Sequence, residues 1–191
     1  VQAAELCDEG LSNGGFEEDT AWVLPTTAFA AAYSSERAHS GDRSLRAGIL
    51  ITSENRYSYS AANQAIDFPT TAPTDVQTAT LTATLTATLT VWWWPITGED
   101  ELTGTLAAAA APDQATLQAV VDGVAPAAAL DGDRQYVILT NENNKVITSL
   151  LWARSNAEQW QQTTFDLTPY LGRSVRVHVG VYNAGLNGVT A

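Results

Sequence analysis

From residue 79 to residue 93 the apolar positions fall on every second residue: Ala79, Leu81, Ala83, Leu85, Ala87, Leu89, Val91 and Trp93. Threonines fill the alternate positions up to Thr90, followed by Trp92 and Trp94. A period of two with β-branched residues between apolar ones predicts a half-buried strand, not a helix. Three TATL copies make up most of it, and a four-residue unit leaves every side chain on its own face. Fully extended, residues 78–95 would reach roughly 55–60 Å, far beyond an ordinary strand. Either the strand overhangs its sheet or part of it is not paired inside its own domain.

The same alternation predicts further strands at 11–17, at 22–24, at 44–51 with Leu45, Ala47 and Ile49 on one face, and at 56–68. Residues 34–43 read as a polar loop ending in the turn His39-Ser40-Gly41-Asp42, and 95–104 as an acidic loop with Glu99, Asp100 and Glu101. Strands at 135–140 and 145–152 flank the turn Asn141 to Asn144 and predict a hairpin. Strands at 160–167 and 174–182 follow as a next pair, the valines at 175, 177, 179 and 181 facing away from Arg176, His178 and Tyr182. The alanine-rich stretch 105–133 breaks this rhythm. Pro112 suits a first helical turn, Asp113 its N-terminal end, and Leu117, Val120, Val121 and Val124 recur at helical spacing before a stop at Gly123. About nine strands with one short helix predict an all-β antiparallel sandwich.

Composition narrows the partners. The 191 residues carry a net charge of −12 with nine Lys and Arg, which argues against nucleic acid or an anionic membrane as a partner. No apolar run is long enough for a membrane-inserted helix. The chain contains no Met. That fits removal of an export signal, and equally a cut chain. Cys7 is the single cysteine: in an exported protein it pairs with something outside this sequence, or it is a buried free thiol. Residues 1–10 read as a tether and 11–191 as one domain with an insertion at 105–133.

Two groups of residues carry a resemblance. Asn13-Gly14-Gly15-Phe16-Glu17 followed by Trp22, with His39-Ser40-Gly41 followed by Ser44-Leu45, resembles the opening of carbohydrate-binding-module-like (galactose-binding-like) jelly rolls of secreted bacterial proteins. Phe165-Asp166-Leu167, Tyr170, Gly172-Arg173 and Val175-Arg176-Val177 are similar to the same family's penultimate strand pair. The resemblance covers 11–68, 88–97 and 134–191, and it implies a jelly-roll β-sandwich. It also implies one structural Ca2+ near the N-terminal strand, with oxygens from Glu17, Ser40, Asp42 and Arg43. The family's usual final strand after a motif like Gly188-Val189-Thr190-Ala191 is not seen. Either an edge is open to strand addition by another chain, or a segment is missing from view.

Flat indoles are platforms on which sugar rings stack. Trp92 and Trp94 lie on the Thr face, and Tyr57, Tyr59, Trp152 and Trp160 are candidates to extend that surface; burial in a core is the competing reading for each. The threonine-rich 70–90 stretch reads as the solvent face of a strand, or as an O-glycosylated segment. For catalysis there is no G-x-S-x-G, H-E-x-x-H, P-loop or G-x-G-x-x-G, and the only histidines are His39 and His178. The expectation is therefore a non-enzymatic extracellular module, secreted or on the cell surface, that binds glycan or mediates adhesion. The alternative is a structural subunit of an extracellular assembly, partnered by its own copies or another surface protein through strand addition.

Overall fold

A computed structural model describes residues 9–69, 85–100, 111–126, 130–186 and 188–191. Among these the chain runs β1 (Ala32–Ser34), β2 (Ser44–Arg46), β3 (Tyr57–Asp67), β4 (Thr88–Trp93), α1 (Gln114–Val121), β5 (Arg134–Asn141), β6 (Val146–Ala153), β7 (Gln161–Asp166) and β8 (Ser174–Ala184). All pairing is antiparallel: a four-stranded sheet in the order β3-β8-β5-β6, and two ladders, β1-β2 and β4-β7. Residues 1–8 with Cys7, residues 70–84 with one full TATL copy and most of the next, residues 101–110 with Glu101 and the alanines at 107–110, and the alanines at 127–129 lie outside the described residues.

The alternation read from the sequence decides which face each strand buries. Val137 and Leu139 of β5, Val175 and Val177 of β8, and Ile66 of β3 form one side of the main core. Leu89 of β4 closes it from the opposite layer, with Val91, Trp93 and Phe165 packed around it. Thr88, Thr90 and Trp92 point away and are exposed. The other face of the four-stranded sheet carries Ala61, Tyr136, Ile138, Trp152 and Tyr182, and Leu117 and Val120 of α1 cover it. The sheet is thus apolar on both faces, β4-β7 on one and the helix on the other.

The helix begins where expected, with one adjustment. The Asp113 carboxylate accepts the Thr116 amide at 2.8 Å, making it the N-cap, so Pro112 stands just before the helix and not in its first turn. Gly123, at φ 68°, turns the chain sharply enough that a Cβ there would collide with the Tyr59 ring. Val124 therefore leaves the helical stripe and is exposed.

Three expectations are corrected. Residues 11–17 form a turn, not a strand, because Asn13 and Phe16 adopt positive φ and the Asn13 amide bonds Glu18 and Thr20 backbone oxygens. The strand expected across 44–51 ends at Arg46, although Ile49 beyond it is fully buried. Strands β7 and β8 do not pair with each other. A 3-10 turn at Thr168–Tyr170, carrying Pro169, moves the chain between layers, so β7 pairs with β4 and β8 lies between β3 and β5. At the C-terminus, residues 189–191 form a short antiparallel ladder with 96–98.

Candidate functional site

Register assembles the aromatic group. Strand β4 pairs with β7 so that Trp92 lies opposite Gln162 and Trp93 opposite Gln161. One residue before β7 stands Trp160, which this register brings edge-on to Trp94 at 5.8 Å between ring centroids. The loop before β2 completes the group. The imidazole of His39 stacks on Trp92 at 3.8 Å, nearly parallel, and meets Trp160 edge-on at 5.5 Å. The Arg37 guanidinium lies 5.1 Å over Trp94. Trp92 is 41% exposed while Trp94 and Trp160 are half-buried, and His39 links Trp92 to Trp160.

A polar strip continues from Trp92 along the outer face of the ladder. Thr88, Thr90, Gln162, Thr164 and Asp166 are all exposed there. The Thr90 and Thr164 hydroxyls bond each other at 3.1 Å. Hydrogen bonds from the Thr168 hydroxyl and amide hold the Asp166 carboxyl below its ordinary pKa. An open indole beside hydroxyls, an amide and a carboxylate combines a flat apolar platform with donors and acceptors in one plane. Trp93, on the opposite face, borders the core and donates its indole N–H to Thr163 at 3.2 Å.

The other three aromatic candidates lie elsewhere. Tyr57, Tyr59 and Trp152 belong to the helix-covered face of the four-stranded sheet, across the main core from Trp92. Tyr57 packs edge-on against Tyr182, and Trp152 is buried against Tyr136. Trp152 is therefore a core residue, since α1 needs an apolar floor.

The residues expected to hold calcium are brought together, but with their polarity reversed. Both Glu17 carboxylate oxygens accept the Asp42 amide, at 3.2 and 3.1 Å, and Oε1 also accepts the Arg43 amide at 3.3 Å. The Arg43 guanidinium donates to the Glu17 carbonyl at 3.2 Å and pairs with Asp19 at 2.5 Å. Gly41 sits at φ 67° directly against the carboxylate, where any Cβ would overlap Oε1. A hard cation wants six to eight oxygens converging on one point. Here the carboxylate is surrounded by N–H donors, and the residues as arranged do not fit a calcium cage. What they do is anchor the loop that carries His39 onto Trp92.

The sequence places Arg37 and His39 only in the polar loop 34–43. No periodicity announces a contact between a loop residue and a strand residue 53 positions away. The other histidine is sealed: His178 is 6% exposed and its Nε2 lies 3.2 Å from the hydroxyl of fully buried Thr140. No substrate can reach that pair.

Comparison with protein-family models, with curated proteins and with solved structures finds no match.

Proposed function

We propose that the chain is a non-catalytic glycan-binding module of an exported protein, with a sandwich of jelly-roll type. The observation that carries this reading is the exposed Trp92, backed on one ring face by His39, at the end of the Thr88–Thr90–Gln162–Thr164–Asp166 strip. Sugar rings present an apolar C–H face and equatorial hydroxyls, and this surface offers an indole for one and polar side chains for the other. The acidic charge of the chain favours neutral over anionic glycans. The test is a glycan array followed by titration calorimetry. Trp92→Ala should weaken binding by about tenfold or more, as truncation of a central aromatic anchor does. Absence of saturable binding to any glycan, or an unchanged affinity in Trp92→Ala, would sink the reading.

Strand addition is the second reading. Among the described residues β4 and β7 form an isolated ladder, each with one partner, and so each leaves an edge open to another chain. Self-association on sedimentation at high concentration is its signature, and a strictly monomeric profile counts against it.

Calcium is tested separately at Glu17, Ser40, Asp42 and Arg43. With the Glu17 carboxylate docked on amides, added calcium or chelator should leave Tm unchanged, while Glu17→Gln should lower Tm in both. A calcium-dependent rise in Tm that Glu17→Gln abolishes would reinstate the ion.

A further inference from the structure

Between β4 and the core face of the four-stranded sheet lies a cavity of about 310 Å3. Its inner wall is apolar: Leu89, Val137, Leu151, Val177 and Val181 are buried there, with Val91, Trp93 and Val179 half-buried beside them. Protein interiors are close-packed, with few voids larger than one water. At about 30 Å3 per water, this space holds roughly ten such volumes. A polar occupant would leave its own hydrogen bonds unmade against these walls.

The mouth is chemically different. Its exposed charged lining residues come from the loop leading into β2 and from that strand, Glu36, Arg37 and Arg46, with exposed His39 and Ser40 and half-buried Arg43 beside them; Leu50, Thr90 and Trp92 are exposed at the same opening. In a chain of net charge −12, three of only nine Lys and Arg gather at this one opening. Arg43 and Arg46 are already paired with Asp19 and Glu36, at 2.5 and 3.1 Å. The guanidinium of Arg37 makes no ion pair among the described residues and rests on the Trp94 ring. An apolar chamber behind a free, aromatic-backed guanidinium matches a molecule with an apolar tail and an anionic head.

We infer that the chamber binds a soluble straight-chain carboxylate, of about eight to ten carbons given the room for roughly ten water-sized groups. Its tail lies against Leu89, Val137 and Val177, and its carboxylate meets Arg37. The tail walls lie on the core face of β4, opposite the Thr90–Thr164 strip, while the mouth shares His39, Trp92, Trp94 and Trp160 with the glycan surface.

Decanoate below its micellar concentration is the probe, read by titration calorimetry, indole fluorescence and Tm. Saturable binding is expected, with a change in tryptophan emission from Trp93 and a rise in Tm of a few degrees. Arg37→Glu, a loop variant that leaves the interior intact, should weaken decanoate binding by about tenfold or more, and decanol should bind wild type correspondingly less well. Val179→Phe, which fills the chamber from within, should abolish decanoate binding; circular dichroism verifies its fold. No saturable binding, equal affinity for decanol and decanoate, or undiminished binding to Arg37→Glu would each overturn the assignment.

Discussion

Arg154→Ala should destabilise the protein by about 3–5 kcal/mol, the range seen when one partner of a buried ion pair is removed. The Glu99 side chain is 5% exposed and that of Arg154 10%, and Nη1 of Arg154 donates to Oε2 of Glu99 at 3.0 Å. The same oxygen accepts the Asp133 amide at 2.9 Å, while Oε1 of Glu99 has no hydrogen-bond partner. The carboxyl of Asp133 is also buried. It accepts the Ala184 amide at 2.6 Å and Nδ2 of Asn183 at 3.0 Å, yet burial pushes its pKa up. Without Arg154, the Glu99 carboxylate would stand in a dry site beside a second carboxyl with no cation to offset it.

The loss should spread to the C-terminal ladder. Asn183 donates to the Thr190 carbonyl at 3.2 Å, and Thr190 shares a 2.8 Å hydroxyl contact with Thr97. Denaturant unfolding measures the total, and amide exchange at residues 96–98 and 189–191 should accelerate most. Replacing both partners with apolar residues, Glu99→Leu with Arg154→Met, should recover most of the stability because no lone charge remains. A loss below about 1 kcal/mol in Arg154→Ala would mean the pair behaves as a solvent-exposed one.

Glu99 also marks where sequence reading stops. In the chain it stands in an acidic run after Pro95 and reads as a solvent loop; its partner is 55 residues away, and only the fold joins them. Local alternation, by contrast, carries the strands well. The bounds of β3, β5, β6 and β8 follow from period-two patterns, since one slip would turn every valine of β8 to the wrong face. The hairpin turn was legible for a similar reason: the Asn141 side chain accepts the Asn143 and Lys145 amides, so the turn is written in contiguous residues.

Pairing between distant strands is what alternation leaves open. Strands β7 and β8 are adjacent in the chain and separated by a short proline turn, which reads as a hairpin; their side-chain patterns do not record that β4 competes for β7. The aromatic site divides along the same line. The outward face of Trp92 was readable from the threonines before it. That Trp160 joins it depends on the β4-β7 register, and that His39 stacks on it depends on a loop held by Glu17. Trp152 was misleading because density of aromatics alone does not separate a surface from a helix-covered floor.

Lowering the pH from about 6.5 to about 4 should cost the native state roughly 3 kcal/mol through His178 alone. Burial, reinforced by the neighbouring Arg176 charge, pushes the His178 pKa from 6.5 down to about 4. The sign follows from proton counting. Between those two values the unfolded chain binds a proton at this residue and the folded chain does not, so unfolding takes up protons and acid favours it. The contribution is fully present above pH 6.5, and is lost as pH falls to the folded value, below which both states are protonated. Asp133 acts in the opposite direction, because its raised pKa favours the fold as pH falls through its own titration. The raw pH profile therefore mixes two signs, and a variant must separate them. His178→Gln keeps a polar group facing the Thr140 hydroxyl and removes the titration. Its unfolding free energy should vary less between pH 6.5 and 4 than that of wild type, by about 3 kcal/mol. Identical pH slopes in the two proteins would show that His178 gains its proton in the folded state as readily as in the unfolded one. The seal formed by Thr140, Ile138 and the sheet around them would then be open to water.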